Sequence, residues 1–379
     1  MTTTDDITIV GAGLSGLTCA IVLAQAGRKV TVREWHSGVG HRFHDDFQGL
    51  ENWSRAKNVL TEMHAAGVDT NFEAHPFDHG MVFDPSGRQY PVRGQRPLFY
   101  LVRRGRNAGT LDRALLDQAL AAGVKVNFND RVRNFESAGV LAAGPRQAAI
   151  IAVGHVFETE MPDGAWLALG RELAPGGYAY LLVQGGRGTV ATCLFSKFRD
   201  QAKYLSATEA FFTRHAGLRM QNPRPFGGFG NVRMATRAIQ GGHPVIGEHA
   251  GFQDALAGFG MRYAIRSGAL AARSIIDGSD YATAWQRELA PWLKAGIVNR
   301  FFYNLAGEAG MRFALRRISK TDAGALLERA YRPSLPKRLL FGLARRWYRA
   351  PLADPSCNHV DCACVWCTHG DDANRVAAT

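Results

Sequence analysis

The sequence predicts a mixed α/β fold in which a parallel-sheet domain is interrupted by an antiparallel-sheet domain and followed by a helical region. Three observations predict it. A glycine-rich strand, turn and helix begin at Ile7, a second element of this kind spans residues 244–276, and short β-rich runs lie between the two. The 379 residues, 46% of them hydrophobic and 21% charged, are enough to form two packed domains.

The first element is a βαβ unit near the N-terminal end of the chain. A strand at residues 7–10 leads into the sequence Gly-Ala-Gly-Leu-Ser-Gly and then into an apolar helical run over residues 14–26. In such a unit the first glycine permits a tight turn, the second lets the backbone approach a pyrophosphate, and the third brings the helix close to the strand. The candidate phosphate-binding residues are Gly11, Ala12, Gly13, Ser15 and Gly16.

An acidic residue completes this unit. The second strand, at residues 29–32, is followed by Glu34, which lies 18 residues beyond Gly16. A carboxylate at the end of the second strand can accept hydrogen bonds from both ribose hydroxyls of an adenosine. The unit therefore predicts a bound dinucleotide, and a structural βαβ unit without a ligand is the alternative.

The second glycine-rich element begins at Pro244. A turn containing Gly247 is followed by the glycine-rich residues 255–260 and by a predicted helix over residues 261–276. In flavoproteins an element of this kind places an acid beside the ribityl chain and a helix N-terminus near the flavin ring, where the helix dipole stabilises the negative charge of the reduced flavin. An ordinary strand, loop and helix is the alternative. The candidate cofactor residues here are Glu248, Gly258 and Gly260.

Together these elements resemble the FAD-dependent oxidoreductases of the p-hydroxybenzoate-hydroxylase fold, and within that superfamily the geranylgeranyl reductase branch. The matching stretches are residues 7–16, 100–104 with 111–115, 175–180 and 247–268. The resemblance implies an FAD-binding Rossmann-type domain with an inserted antiparallel-sheet substrate domain and a C-terminal helical region. It also implies that Arg103 lies along the FAD and that Arg42 reaches the pyrophosphate. For Arg103 or Arg104, a surface ion pair is the alternative.

The resemblance divides the chain into four parts. The FAD-binding domain is discontinuous, the substrate domain is inserted into it, and two C-terminal regions follow. The expected boundaries are residues 1–60, 97–147 and 236–290 for the FAD-binding domain, 61–96 and 148–235 for the substrate domain, 291–350 for a basic helical region and 351–379 for a cysteine-rich tail.

The β-rich runs at residues 149–158, 178–183 and 189–195 predict the antiparallel sheet of the substrate domain. Aromatic residues gather around these runs. Such rings form either the plain core of a half-buried sheet or the lining of an apolar pocket over the flavin, and both interpretations stay open. The residues concerned are Trp166, Tyr178, Tyr180, Phe226 and Phe229.

Positive charge is concentrated near the C-terminal end. Residues 296–350 contain twelve basic and three acidic residues and supply +9 of the chain's formal charge of +12. Between Ser334 and Arg349, Leu335, Leu339, Leu343 and Trp347 recur at helical spacing with Lys and Arg between them. The pattern predicts a basic amphipathic helix that either lies in an anionic lipid headgroup layer or packs on the protein with a solvated basic face. A nucleic-acid surface is the less favoured alternative.

Four of the six cysteines form one cluster in the tail. Their spacing is C-x4-C-x-C-x2-C, and four thiols this close together in a cytoplasmic chain favour a metal over disulfides. Zinc and an iron–sulfur cluster both accept four thiolates, and the tight C-x-C pair favours zinc slightly. Free or regulatory thiols are the alternative. The candidate ligands are Cys357, Cys362, Cys364 and Cys367.

The resemblance and these patterns predict an enzyme: an FAD-dependent reductase of C=C bonds in an apolar, isoprenoid-like substrate at the membrane surface. No second glycine-rich dinucleotide unit follows a strand in the sequence, so NAD(P)H or another redox protein is expected to deliver electrons by transient docking. The sequence singles out no catalytic residue.

Two alternatives stay open. The first is a flavin-dependent hydroxylase, although residues 140–145 lack the Asp-Gly pair of the aromatic hydroxylases. The second is a membrane-docked flavin protein that passes electrons to quinone or to a partner protein. No apolar run reaches the ~20 residues of a membrane-spanning helix, and none precedes the first strand. We therefore expect a cytoplasmic protein, peripheral to the inner face of the membrane if the basic helix binds lipid.

Overall fold

The computed structural model describes residues 6–132, 135, 138–145, 148–232 and 238–348. In these ranges the strands are β1 (Asp6–Val10), β2 (Lys29–Arg33), β3 (Phe47–Glu51), β4 (Ala74–Phe77), β5 (His79–Phe83), β6 (Gln89–Arg93), β7 (Phe99–Arg103), β8 (Lys125–Asn127), β9 (Gly139–Leu141), β10 (Ile150–Glu158), β11 (Gly164–Ala168), β12 (Tyr178–Gln184), β13 (Arg187–Leu194), β14 (Gln221–Gly230), β15 (Ile239–Gln240) and β16 (His243–Pro244). The helices are α1 (Leu14–Gln25), α2 (Val59–Ala65), α3 (Leu111–Ala121), α4 (Gln201–Ala216), α5 (Met261–Asp277), α6 (Tyr281–Glu288), α7 (Ala290–Ile318), α8 (Ala323–Tyr331) and α9 (Leu335–Trp347), with 3₁₀ helices at Phe198–Asp200 and Gly247–Ala250.

The first layer is a parallel sheet with the strand order β8-β2-β1-β9. Val245 forms a parallel bridge with Leu141 of β9, which brings the second glycine-rich element next to this sheet. Apolar side chains of the sheet and of helices α1, α3 and α5 form one core. These side chains face the same core because they alternate along the strands and recur every three or four residues along the helices. This arrangement confirms the predicted Rossmann-type sheet and the two helices that follow its glycine-rich turns.

Helices α1 and α5 pack together at short range. A Cβ atom at Gly268 of α5 would collide with the carbonyl oxygen of Ser15 in α1, so only glycine permits this approach. The N-terminal unit is therefore held by a segment about 250 residues further along the chain.

The second layer is a seven-stranded sheet with the order β14-β10-β13-β12-β11-β5-β6. All its neighbouring strands are antiparallel except β11 and β5. Helix α4 covers one face, where Phe212 packs with Phe83, Phe157 and Leu181 in a buried cluster. The three β-rich runs expected at residues 149–195 are strands β10, β12 and β13, so the predicted antiparallel sheet is confirmed.

A small antiparallel sheet, β3-β7-β4, lies between the two layers. Helices α6 to α9 form the last part of the chain that the structure describes. Helix α7 is kinked at Gly307, whose φ of 57° and ψ of −164° are not helical. Its second half, after the kink, packs beside β5 and β6 and lines a cavity between the layers.

Helix α9 is amphipathic, as predicted. Its inner face packs on α7 in a cluster with Ile297 and Val298, through Leu340, Phe341, Ala344 and Tyr348. The opposite face carries the apolar stripe, whose side chains are 48% to 74% exposed, at Leu335, Leu339, Leu343 and Trp347. The helix thus packs on the protein and still presents its apolar stripe to the outside.

Candidate functional site

A cavity of about 1660 Å³ lies between the parallel sheet, the seven-stranded sheet and the C-terminal helices. This volume exceeds the roughly 300–1,000 Å³ of an ordinary ligand pocket, so it has room for a dinucleotide and a second molecule. Most of the cofactor residues predicted from the sequence line it. They are Gly11, Ala12, Gly13, Ser15, Glu34, Arg42, Glu248, Gly258 and Gly260.

The three glycines of the first turn have different roles. Gly11 has a φ of +107°, and a Cβ there would collide with the carbonyl oxygen of Ala142. A Cβ at Gly16 would collide with the carbonyl oxygen of Gly11. At Gly13, in contrast, a Cβ would meet no atom within 4 Å and would project into open space. Gly11 and Gly16 therefore maintain the turn, while Gly13 leaves a space that a pyrophosphate fits.

Two helices begin at the cavity wall without a side-chain cap. Gly13 is the N-cap of α1 and Gly260 is the N-cap of α5, and neither helix has a capping side chain. First-turn residues Leu14 and Met261 line the cavity. Helix N-termini with free N–H groups attract negative charge. The pyrophosphate of a dinucleotide and its electron-rich ring would each lie near such a terminus here.

Glu34 lies where the βαβ unit predicts it. Its carboxylate accepts hydrogen bonds from the backbone N–H groups of Ala12 (2.7 Å) and His36 (2.9 Å). These bonds fix the carboxylate against the glycine-rich turn, at the end of β2 and in the cavity wall. The position suits a ribose that lies beside the pyrophosphate.

Arg42 and Glu248, predicted to contact different parts of FAD, are paired with each other. An Arg42 Nη2 donates to Glu248 Oε2 at 2.8 Å, and Arg42 also donates to the carbonyl oxygen of Phe229 at 3.1 Å. The other Glu248 oxygen accepts from the backbone N–H of Asn231 at 2.9 Å. The guanidinium lies 5.3 Å from the centre of each of two rings, Phe43 and Phe229. The guanidinium of Arg42 and the carboxylate of Glu248 thus form an ion pair in the cavity wall, between the two glycine-rich turns.

The structure places Arg103 outside the cavity wall. Its guanidinium makes two hydrogen bonds with the carboxylate of Glu73 and does not line the cavity. The next residue, Arg104, does line it and pairs bidentately with the buried Asp112. Successive side chains leave an extended chain on opposite sides, so only one member of this arginine pair lines the cavity.

The other end of the cavity is apolar. Four of the five aromatic residues in question line the cavity, namely Trp166, Tyr178, Tyr180 and Phe229, whereas Phe226 is buried in a small core cluster. Further apolar side chains come from the small sheet, from β5 and β6, and from the second half of α7 and α8. They include Trp53, Val82, Val92, Leu98, Met311, Leu315, Ile318 and Leu327.

The junction of the two ends lies at residues 254–260. The Tyr178 hydroxyl donates to the carbonyl oxygen of Ala257 at 2.8 Å, which ties the seven-stranded sheet to this segment. Behind it, the buried Asp254 accepts from the Ala257 N–H and from the Tyr331 hydroxyl. Burial raises the pKa of Asp254 to about 6. Burial also raises the pKa of Tyr178 well above its usual value, so the phenol is neutral at pH 7.

Two functional candidates were missed by sequence reasoning. Arg104 was set aside in favour of its neighbour, and Arg300 was counted only as one of the charges of the basic region. Arg300 is buried and lines the cavity beside Gly176 and Leu256. No local sequence signal distinguishes it from the exposed arginines around it, because its burial depends on how α7 packs.

The four candidate metal ligands, Cys357, Cys362, Cys364 and Cys367, lie outside the described residues. In the part of the chain that the structure covers, no group of three or more His, Cys, Asp or Glu side chains is arranged to hold a metal ion. The described cysteines, Cys19 and Cys193, are buried, and burial raises the pKa of both thiols. Cys19 packs as a small apolar side chain in the core of the parallel sheet, whereas Cys193 lines the cavity.

Comparisons with known proteins agree with this architecture. A family profile described as an NAD(P)-binding Rossmann-like domain matches residues 9–59. An L-amino-acid oxidase from Echis ocellatus is 28% identical over 155 residues, which cover 35% of this chain and 29% of that protein. The match thus spans less than a third of the length of this curated relative.

Solved structures match over most of the chain. A geranylgeranyl bacteriochlorophyll reductase-like protein from Thermoplasma acidophilum aligns with a TM-score of 0.60 at 16% identity and covers 92% of this chain and 97% of its own. A flavin-dependent brominase aligns with a TM-score of 0.58 at 14% identity, over 90% and 99%. A probable FAD-dependent monooxygenase from Pseudomonas aeruginosa aligns with a TM-score of 0.61 at 16% identity, over 83% and 99%. The chain therefore has the fold shared by these FAD-dependent oxidoreductases, as the resemblance implied.

Proposed function

We propose that this chain is an FAD-dependent oxidoreductase that reduces C=C bonds in an apolar, isoprenoid-like substrate at a membrane surface. The observation that carries the proposal is the cavity, which joins a glycine-rich end shaped for a dinucleotide to an apolar end with room for a second molecule. Similarity to both reductase-like and monooxygenase structures supports the coarser class of the reaction.

The residues at the glycine-rich end fit FAD. The open space at Gly13 would receive the pyrophosphate, the Glu34 carboxylate would accept the ribose hydroxyls, and the α5 N-terminus at Gly260 would face the flavin ring. Arg42 supplies a positive charge in the wall between these points. When bound, FAD supplies hydride transfer to the substrate carbon.

The apolar end fits a substrate without strong polar groups along its length. Its wall is formed by aliphatic and aromatic side chains such as Val82, Leu98, Met311 and Ile318. Such a wall excludes water from the reacting carbon atoms and holds a long apolar molecule by burial of its surface. The seven-stranded sheet and α7 orient this molecule against the segment at residues 254–260.

The exposed stripe of α9 supports a membrane location. No described helix is both long and apolar enough to cross a membrane. The stripe at Leu335, Leu339, Leu343 and Trp347 instead lies on a basic helix, the form expected of a segment that lies in the interface of an anionic bilayer. We place the enzyme in the cytoplasm, at the inner face of the membrane. A substrate that partitions into lipid would then be present at the surface where the enzyme docks.

The electron donor and the metal are also part of the proposal. We propose that NAD(P)H or a redox partner protein reduces the flavin by transient docking. We further propose that the four cysteines of the tail bind zinc, or an iron–sulfur cluster if they relay electrons. Elemental analysis of freshly reduced protein distinguishes the two metals, and protein without either metal would contradict this part.

The reaction is tested with the protein reduced under anaerobic conditions. Geranylgeraniol is added, with its fully saturated counterpart as the matched control. We expect the unsaturated alcohol alone to reoxidise the flavin and to gain two hydrogen atoms per double bond reduced, as measured by absorbance and mass spectrometry. Rapid reoxidation by oxygen with a hydroxylated product would favour the monooxygenase instead. Reoxidation by a quinone without any reaction of the alkene would favour the electron carrier.

A further inference from the structure

Arg300 differs from the other buried arginines of the described chain. Arg103, Arg104 and Arg262 each have a carboxylate oxygen within 3 Å, from Glu73, Asp112 and Glu62 respectively. Arg300 is only 8% exposed, yet no carboxylate oxygen of the described residues forms an ion pair with it. A buried charge without a partner is costly, and proteins normally pair it.

The immediate surroundings of Arg300 are neutral. Its Nη1 donates to the carbonyl oxygen of Leu256 at 3.2 Å, and its guanidinium carbon lies 4.1 Å from the centre of the Phe195 ring and 5.4 Å from that of Tyr303. Burial raises the pKa of Tyr303 and of the nearby Tyr348, so both phenols are uncharged at neutral pH. The carboxyl group of Asp254 affects Arg300 only by longer-range electrostatic attraction and does not form an ion pair with it. The guanidinium of Arg300 thus makes one hydrogen bond and contacts two aromatic rings, and most of its N–H groups have no acceptor among the described residues.

The position of Arg300 is equally informative. It lines the cavity together with Tyr178 and Ala257, at the junction between the glycine-rich end and the apolar end. Gly176 also lines this wall, and a Cβ atom there would lie 3.1 Å from the Arg300 Nη2. The absence of a side chain at this position keeps the guanidinium accessible from the cavity. Planar, paired donors of this kind match a carboxylate or a phosphate.

We propose that Arg300 binds an anionic head group, a carboxylate or a phosphate, on the apolar molecule that the cavity accepts. This inference rests on the proposed function, because it describes the second molecule of the same cavity. The substrate class is then an apolar chain with an acidic end. Its acidic group is held by Arg300, and its chain lies along the apolar wall.

The test uses binding and needs no turnover. Equilibrium dialysis of the full-length protein with decanoate, decyl phosphate and decanol, at 0.3 M salt, measures affinity for two head groups and for the chain alone. We expect the wild-type protein to prefer an anionic ligand over decanol, and Arg300→Gln to weaken that ligand by roughly tenfold to a hundredfold while decanol is unchanged. The ligand that loses more identifies the head group.

The matched control is Arg345→Gln, which removes an exposed charge from α9. It should leave all three affinities unchanged, so a loss shared by both variants would mean non-specific attraction. Equal binding of decanol and both anions by the wild-type protein, or an equal loss for all three ligands in Arg300→Gln, would overturn the proposal. If Arg300→Gln folds and keeps anion binding but loses FAD, Arg300 would bind the cofactor instead, and the proposal would also be overturned.

FAD occupancy, measured separately by absorbance after gel filtration, keeps the two proposals apart. Protein without FAD that still shows Arg300-dependent anion binding contradicts the proposed function and not this inference. Protein with FAD and without anion preference contradicts this inference alone.

Discussion

The two ends of the cavity are built in opposite ways. The glycine-rich end is formed mainly by backbone from residues 11–16 and 258–260, with N–H groups and missing side chains as its main features. The apolar end is formed by side chains from β5, β6, β11, α7 and α8, which are far apart in the sequence. In the proposed function, a cofactor common to many enzymes would thus be bound by local backbone geometry, while the specific substrate would be bound by side chains that the packing of distant elements brings together.

The largest expected effect is at the glycine-rich end, where a side chain at Gly13 would occupy the space for the pyrophosphate. We expect Gly13→Val to abolish FAD retention while the protein stays folded, because a Cβ there meets no atom of the protein. Gly11→Val is the contrasting variant. It should lower the melting temperature, since its Cβ collides with the Ala142 carbonyl group and its φ is positive.

Flavin absorbance after gel filtration and melting temperature by circular dichroism separate these effects. Full FAD occupancy in folded Gly13→Val protein would remove this turn from the binding site. Equal destabilisation by both substitutions would mean that Gly13 maintains the turn in the same way as Gly11.

The next effect in size concerns the outer surface of α9, which packs on α7, one of the helices that line the apolar end. We expect the double variant Leu339→Asp with Trp347→Asp to lose most of its binding to anionic liposomes, because both exposed side chains belong to the apolar stripe of α9. Binding of the wild-type protein should fall as salt rises, since each basic residue near the surface contributes on the order of 1 kcal/mol at low salt. Flotation with vesicles of anionic and of neutral lipid measures both effects.

Leu120→Asp is the control for this experiment, because Leu120 is also a 48% exposed leucine but lies on α3, away from the basic region. Its liposome binding should equal that of the wild-type protein. If the α9 double variant floats as well as this control, the stripe does not bind lipid.

The smallest effect is expected at the junction of the two ends, where burial raises the pKa of Asp254 from 3.8 to about 6. The folded state therefore favours the protonated acid. The stabilisation from this proton is complete below pH 3.8 and is lost as the pH rises through 6, at a cost on the order of 3 kcal/mol. Asp254→Asn should show a smaller loss of stability than the wild-type protein between pH 4 and pH 7.

Urea denaturation across this pH range measures the difference, with the exposed Asp69→Asn as the control. Parallel pH profiles for the wild-type protein and Asp254→Asn would contradict the raised pKa. In that case the contribution of Asp254 to the free energy of unfolding would be the same at every pH in the range.

The same contrast explains what the sequence could predict. The turn at residues 11–16, Glu34 and the α5 N-terminus were predicted because spacing along the chain determines their geometry. Arg103, which the resemblance places along the FAD, bonds to Glu73 outside the cavity wall, and the sequence alone does not show which of the two arginines faces the cavity. Arg300 was not predicted at all, since its burial requires that α7 pack against residues 195 and 256. The periodicity of apolar residues in a sequence identifies helices and strands. A site formed by the packing of distant helices and strands can be recognised only in the folded structure.

The glycine contact between α1 and α5 has a consequence for the order of events during synthesis. The helix that packs on α1 through Gly268 is made about 250 residues after the turn that would bind the phosphates. At the roughly 5–20 residues per second of translation, the intervening ~250 residues correspond to a delay of about 10–50 s. During this time the first βαβ unit exposes the surface that α5 later covers.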